Sequence, residues 1–512
     1  MKVNQLKASV VLSYSSMILG YAIAIVYTPI MLRLLGQSEY GLYNLVSSVV
    51  SYLGLMSFGF GSAFIRYYSR YKINNQQSKI SMLNGMFLIV FIVIGFIALI
   101  AGLIVVMNIE YIFGEKLTMN ELATAKILMT IMIFNIVISL MTSVFNNYVV
   151  ANEEYIFQKI IGMIKLVLGP LIILPVLLMG YKSVGMILAT SVISLIFEIS
   201  QVIFCLKKLK MKFLFQEFDF SLMREMSIFS FYIFMNMIID LVNWNVDKFI
   251  LGIFHGTVTV AIYGLAVQLN FYYLSISLAI SSVFIPKVNR MVAVSNDNKE
   301  LTLLFTKVGR VQFLILSLIS SGLILFGLPF INLWAGKEYS ESYLILIILI
   351  VPVTIPLIQN LGIEIQRAKN MHQFRSWIYL FIAICNLCMS IPLGKLYGGI
   401  GCAVGTAVSF IIGNGIIMNW YNHKKVGLNM KFFWRQILSM IPSLIPPIAS
   451  GILMLIFLDL NHIITFFICG TIYVIIFGVS MWFLGMNKYE KDLLAKPTLN
   501  LLSNLRLCKT DI

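Results

Sequence analysis

"GMFLIVFIVIGFIALIAGLIVVM" runs from Gly85 to Met107 without a charged residue. As a helix, a stretch of this length crosses about 30 Å of hydrocarbon. "ILSMIPSLIPPIASGILMLIFL" (Ile437 to Leu458) and "IITFFICGTIYVIIFGVSMWFLG" (Ile463 to Gly485) have the same character. They are typical of the chain, which is 60% hydrophobic and only 11% charged, with a mean hydropathy of +0.92. Soluble domains carry roughly a quarter of their residues as charges, so the chain reads as an all-α integral membrane protein of about 14 transmembrane helices. The apolar stretch Ala8 to Leu32 is too long for a signal-peptide core and no small-residue cleavage site follows it, so a retained first helix is expected.

The formal net charge is +16, which by itself would suggest an anionic partner such as nucleic acid. Its placement argues against that. With the N-terminus set in the cytoplasm, most Lys and Arg fall in the even-numbered connections and the tails. Examples are Arg66, Arg70, Lys72 and Lys79, then Lys207, Lys208, Lys210 and Lys212, then Lys424, Lys425, Lys431 and Arg435. That is the positive-inside bias, with both termini cytoplasmic and no nucleic acid implied. Cys385 and Cys388 form a lone C-x-x-C inside an apolar run, without a second pair or a nearby His, so no metal or cofactor site is expected.

An internal repeat sets the organisation. "VGMILATSVISLI" (Val184 to Ile196) aligns with "IGCAVGTAVSFII" (Ile400 to Ile412) at an offset of 216 residues. "LLGQSEYGLYNL" (Leu34 to Leu45) answers "ILGIFHGTVTVAIYGLAVQL" (Ile250 to Leu269), each with Leu-Gly and then Tyr-Gly-Leu, the second copy being seven residues longer between these landmarks. Six spans per copy is an even number, so the two bundles enter the membrane from the same side. They are expected to be a parallel repeat with a pathway between them. The expected layout is an N-terminal six-helix bundle over 1–206, a cytoplasmic amphipathic linker over 207–226 and a C-terminal six-helix bundle over 227–423. A basic loop, two extra helices and a cytoplasmic tail fill 424–512.

Charges inside apolar spans mark the candidate site. In "NMIIDLVNWNVDKFILG" (Asn236 to Gly252), Asn236, Asp240, Asn243 and Asp247 recur at spacings of 4, 3 and 4, one stripe on one helix face. Ionised groups at membrane depth are costly and usually face a bundle interior or a water-filled cavity, so the stripe is expected to line the pathway. The alternative for Asp247 and Lys248 is snorkelling to the outer interface. Lys165 lies roughly 15 Å into the bilayer from its helix start, and either pairs with Glu198 of the next helix or lines an anion path.

The repeat plus two helices, "LLGQSEYGLYNL", the "FGFGSAFIRYYSRY" exit from the second span, and "DKFILG" followed by "YGL" together resemble a known family. It is the polysaccharide flippases of the multidrug/oligosaccharidyl-lipid/polysaccharide exporter superfamily, nearest to the Wzx-type O-antigen and capsule branch. The resemblance implies movement of an isoprenoid (undecaprenyl) pyrophosphate-linked oligosaccharide from the inner to the outer leaflet of a bacterial cytoplasmic membrane. Membrane lipids and the pathway's polysaccharide polymerase and glycosyltransferases are the implied partners. Cations suited to the pyrophosphate are Arg33, Arg66, Lys165, Lys248 and Arg310, with positive-inside anchoring the alternative for Arg66 and Arg310. The multidrug branch binds Na+ or H+ at buried carboxylates, a role Asp240 fits, while the membrane potential is an alternative driving force. The last two helices are expected to border the lipid tail.

Three other classes are weighed. A cation- or proton-coupled multidrug exporter of the same superfamily usually lacks the last two spans. A membrane enzyme is disfavoured by the short outer connections, the lack of a D-x-D and the peripheral placement of His255, His372, His423 and His462. The motif of the major facilitators after their second span is not supplied by "RYYSRYKINNQQ".

Overall fold

The computed structural model describes residues 5–493 and 495, except 216, 217, 296 and 372, with side chains from residue 12 onward. Every regular element among the described residues is helical. Thirteen helical segments are long and apolar enough to cross a membrane. The longest, Gln373–Val426, holds two crossings, because the chain breaks at Gly398, whose φ of 59° and ψ of −138° are non-helical. A Cβ on Gly401 would lie 2.0 Å from the Leu393 carbonyl oxygen, so the chain doubles back there. Among the described residues the spans therefore number fourteen, and the chain is a multi-pass membrane protein.

In order they are Leu12–Leu35, Gln37–Ile73, Gln77–Met107, Met119–Ala151, Tyr155–Leu178, Lys182–Lys208, Phe220–His255, Thr257–Ser282, Asn298–Trp334, Glu341–Ala368, the two parts of Gln373–Val426, Met430–Phe457 and Ile463–Gly485. Contacts group them into two compact units. One comprises Met1–Leu265 with Ala383–Gly405, the other Ala266–Ile382 with Thr406–Ile512. The sequence repeat divides the chain differently: the seventh span belongs by packing to the unit that holds the first six.

Within the first unit, the first two spans are separated by Gly36 (φ 78°, ψ 166°) and the seventh and eighth by Gly256 (φ 81°, ψ −169°). Both need the positive φ that glycine adopts without strain. This shared conformation makes Gly36 the counterpart of Gly256 rather than of Gly252. From these glycines to the Tyr-Gly-Leu motifs the second copy is three residues longer. The second span bends through the 3-10 turn Tyr52–Ser57 and then two left-handed residues, Phe58 and Gly59.

The connection 207–226 is only partly helical among the described residues: residues 209–215 run without helical structure against the third span. The Leu214 N–H donates to the Ser81 carbonyl at 2.9 Å and Asn84 Nδ2 to the Lys212 carbonyl at 2.9 Å. A Cβ on Gly85 would meet the Leu214 carbonyl oxygen at 2.3 Å, so this glycine admits the strap. Its backbone finds partners on a neighbour and has no need of a helix. Helix resumes at Phe220, capped by Asp219, whose carboxylate accepts from Leu222 N–H at 2.9 Å. Gln216 and Glu217 lie outside the described residues, as do residues 496–512 of the tail.

The second unit is knit by polar side chains in an apolar frame. The tenth span breaks after Pro356, where Gln359 has φ −110° and ψ 8°, before helix resumes at Asn360–Ala368. The freed Leu357 carbonyl accepts from Ser277 Oγ at 2.7 Å, and Ser277 Oγ accepts from Asn360 Nδ2 at 2.8 Å and Gln312 Nε2 at 3.1 Å. Broken backbone at membrane depth persists only where it is satisfied in this way.

Candidate functional site

The seventh-span stripe does not lie in one environment. Asn236 and Asp240 are exposed, whereas Asn243 and Asp247 are 4% and 2% exposed. Asp247 lies eight residues before His255, roughly 12 Å along the helix from the turn at Gly256. Its Oδ2 accepts from Tyr263 Oη at 2.5 Å, and Tyr52 and Cys402 are within its electrostatic range. Lys248 is half-buried and donates from Nζ to Asn44 Oδ1 at 3.4 Å. Snorkelling is therefore not how Asp247 is accommodated: it sits in protein, with a phenol for a partner.

The motifs that drew attention as repeats build this cluster. Tyr263 comes from the second Tyr-Gly-Leu and Asn44 follows the first. The glycines allow the approach: a Cβ on Gly264 would meet Asn44 Cγ at 2.9 Å, and one on Gly41 would sit 1.9 Å from the Thr257 carbonyl oxygen. Nearby, Glu121 accepts from Ser38 Oγ at 2.6 Å and from Thr257 Oγ1 at 2.8 Å. One carboxylate thus ties together the starts of the second, fourth and eighth spans. His255 Nε2 lies 2.7 Å from the Gly394 carbonyl oxygen, and Lys182 is 3.9 Å from Glu39.

The other sequence-predicted cations are scattered. Arg33 is exposed in the last turn of the first span, where a cation favours the helix terminus. Arg66 is exposed, with its guanidinium 4.6 Å above the Phe229 ring. Lys165 is exposed, and Glu198 lies within its electrostatic range and within reach of the Ser139 and Thr142 hydroxyls. No ion pair between Lys165 and Glu198 within 4.0 Å occurs among the described residues.

Arg310 has the most definite surroundings. Nε and Nη2 grip Glu490 at 2.6 and 3.0 Å, Nη1 donates to the Gln436 carbonyl at 2.7 Å, and Nη2 also donates to the Gly485 carbonyl at 2.7 Å. At 4% exposure, this guanidinium is committed to the protein. It has nothing left for a pyrophosphate.

Of the ten expected site residues, the structure brings together Asn243, Asp247 and Lys248. The sequence reading missed Asn44, Tyr263 and Glu490. Tyr263 and Asn44 were signalled by the Tyr-Gly-Leu repeats, which were read as landmarks only. Glu490 had no local signal.

Residues 6–292 match the family described as Polysaccharide biosynthesis protein. The chain belongs to that family. No curated protein matches it by sequence. Its fold is that of the MOP superfamily. It resembles "Lipid II flippase MurJ, inward closed conformation" with a TM-score of 0.70 and 17% identity, over 92% of this chain and 98% of that one. An inward-facing multidrug resistance MATE transporter of the MOP superfamily gives 0.64 and 12%, over 80% and 98%. The Vibrio cholerae MATE transporter VcmN in its bent form gives 0.53 and 17%, over 82% and 97%. These three neighbours are a lipid flippase and two multidrug transporters by their descriptions.

Proposed function

We propose that this protein is a flippase that carries an isoprenoid (undecaprenyl) pyrophosphate-linked oligosaccharide from the inner to the outer leaflet of a bacterial cytoplasmic membrane by alternating access, both termini being cytoplasmic. The observation that carries this reading is the likeness to a lipid flippase over 92% of the chain, set beside membership of a polysaccharide biosynthesis family. The transporters of multidrug type cover only 80 to 84% of it. The difference is in the direction expected if the last two spans serve a lipid tail.

On this reading Lys248, Lys165, Arg33 and Arg66 are the cations available to the pyrophosphate, and Arg310 is withdrawn from that role. Asp247 with Tyr263 replaces Asp240 as the preferred place for Na+ or H+ coupling, because a carboxylate held in protein changes its free energy more on losing its charge than an exposed one. The protein itself performs no covalent chemistry. Polymerase and glycosyltransferases of the same pathway act before and after it. Whether the product is O-antigen or capsule follows from the sugars supplied.

The multidrug branch is the second reading, favoured by the shared fold and by the buried carboxylate of Asp247. Deleting the gene distinguishes the two. The flippase reading expects completed oligosaccharide to accumulate on its lipid carrier in the inner leaflet, relieved by the intact gene. Normal surface polysaccharide together with new drug sensitivity would favour the exporter.

A further inference from the structure

The second and eighth spans hold equivalent places in the two sequence copies, and within the first unit one end of each crosses the other. With both termini cytoplasmic, as proposed, these are the outer ends. The glycine of each Tyr-Gly-Leu motif lies at the crossing. A Cβ on Gly41 would sit 1.9 Å from the Thr257 carbonyl oxygen and 3.2 Å from the Ala261 nitrogen, and one on Gly264 would meet Asn44 Cγ at 2.9 Å. A side chain at either position would push the spans apart, so each copy supplies a glycine to the same close contact.

Glu121 fastens this crossing. Its Oε1 accepts from Ser38 Oγ at 2.6 Å and from Thr257 Oγ1 at 2.8 Å, and its Oε2 accepts from the Thr118 N–H and from Thr118 Oγ1, both at 2.9 Å. Each oxygen takes two donors, an arrangement that an ionised carboxylate completes. The capping box at the start of the fourth span accounts for Oε2 alone. Oε1 is turned to two other spans, and its bond to Thr257, which is 5% exposed, joins the second copy to the first.

Of the eighth span, only Thr257–Leu265 belongs to the first unit, and the remainder belongs to the second. A transporter that opens outward has to part its two copies at this end, which requires the first turns of the eighth span to leave the second and the fourth. We propose that Glu121 is the outer latch of the transport cycle: its bond to Thr257 holds the eighth span on the crossing while the outer side is shut, and is given up when that side opens. The proposal rests on the alternating-access reading and adds to it a residue that sets the balance between the shut and the open outer side. The coupling candidates lie on the same crossing. Asn44 accepts from Lys248 at 3.4 Å, and Tyr263, next to Gly264, donates to Asp247 at 2.5 Å. Parting the spans changes the surroundings of both charges.

The test reads the outer side directly. Ser48 follows Gly41 and Asn44 on the same face of the second span and is 2% exposed. Ser48→Cys, in the full chain with its six native cysteines replaced by alanine, is treated in intact spheroplasts with a membrane-impermeant maleimide. Thr257→Val, which keeps the shape of the side chain, and Glu121→Ala are each expected to raise the labelling rate about tenfold, the scale of one hydrogen bond to a charged group. Thr257→Ser keeps the hydroxyl and should label at the parent rate, as should Thr118→Ala, which weakens the cap and leaves the tie between the copies. Labelling unchanged in either Thr257→Val or Glu121→Ala, or raised as much by Thr118→Ala, would overturn the latch. Movement of lipid-linked oligosaccharide is followed in the same variants. Unchanged labelling with intact movement removes the latch and leaves the flippase. Raised labelling in a protein that moves no lipid-linked oligosaccharide does the reverse.

Discussion

Arg310 and Glu490 meet edge to edge, Nε to Oε1 at 2.6 Å and Nη2 to Oε2 at 3.0 Å, and are 4% and 3% exposed. A guanidinium and a carboxylate matched in this way form two parallel charge-assisted bonds. Glu490 is itself held, its Oε2 accepting from Asn487 N–H at 2.9 Å. The segment after the fourteenth span is thus fastened to the ninth. A cation in an apolar span, which in the sequence resembles a ligand for anions, is here a fastening between distant parts of one unit.

Breaking the pair from one side leaves a buried charge alone. Arg310→Met or Glu490→Leu is expected to destabilise the second unit by about 3–5 kcal/mol, and the double replacement by much less. Thermal unfolding of the three purified variants in detergent checks this. Equal losses in the single and double variants would mean the pair does not act as a unit.

The same pair bears on the last two spans. They pack on the ninth through Tyr473 Oη, which donates to Ser321 Oγ at 2.7 Å. Removing residues 430–495 also removes Glu490 and strands Arg310. The informative deletion therefore carries Arg310→Leu. It is expected to insert and fold yet lose movement of a lipid-linked substrate; retained movement would show that the lipid tail does not depend on these spans.

Asp247→Asn keeps the shape of the side chain and removes its charge. If Asp247 binds the coupling ion, transport should fall more than about tenfold and its response to an imposed Na+ or H+ gradient should vanish, since tenfold is only about 1.4 kcal/mol. Tyr263→Phe should slow transport less. Asp247→Asn that transports normally with an intact gradient response would remove the coupling role.

Glycines separate packing from propensity. Alanine at Gly41 or Gly401 would set a Cβ 1.9 or 2.0 Å from a backbone oxygen, whereas Gly470 and Gly478 have nothing within 4 Å. The first two substitutions are expected to lower yield and thermal stability markedly. The second two should be neutral or stabilising by up to about 1 kcal/mol, the helix preference of Ala over Gly. Unfolding temperatures of the four variants decide it.

How far the sequence could be read follows from where each signal resides. Apolar length is local, so the fourteen spans were legible, even the pair that Gly398 folds within a continuous run of helix. The stripe spacing placed Asn243 and Asp247 on one buried face, but could not tell that Asn236 and Asp240, two turns away, are exposed, because exposure depends on neighbours far along the chain. The partner of Arg310 was beyond any local signal for the same reason, lying 180 residues away. The linker's composition marked it as amphipathic, but the contacts that fix its path, with Ser81 and Asn84, again lie far off in sequence. The break in the tenth span had local signs, the prolines Pro352 and Pro356. These mark distorted backbone without saying which side chains converge on it.

The most direct test of the central claim is reconstitution. The purified protein is placed in sealed vesicles with an isoprenoid-pyrophosphate oligosaccharide, and the fraction that an external sugar-modifying reagent reaches is followed over time, with and without a membrane potential. Modification, which stops at the initially exposed leaflet in protein-free vesicles, is expected to proceed towards completion when the protein is present. Modification that stops at the same fraction with and without the protein, under an imposed potential, Na+ gradient or H+ gradient alike, would contradict it.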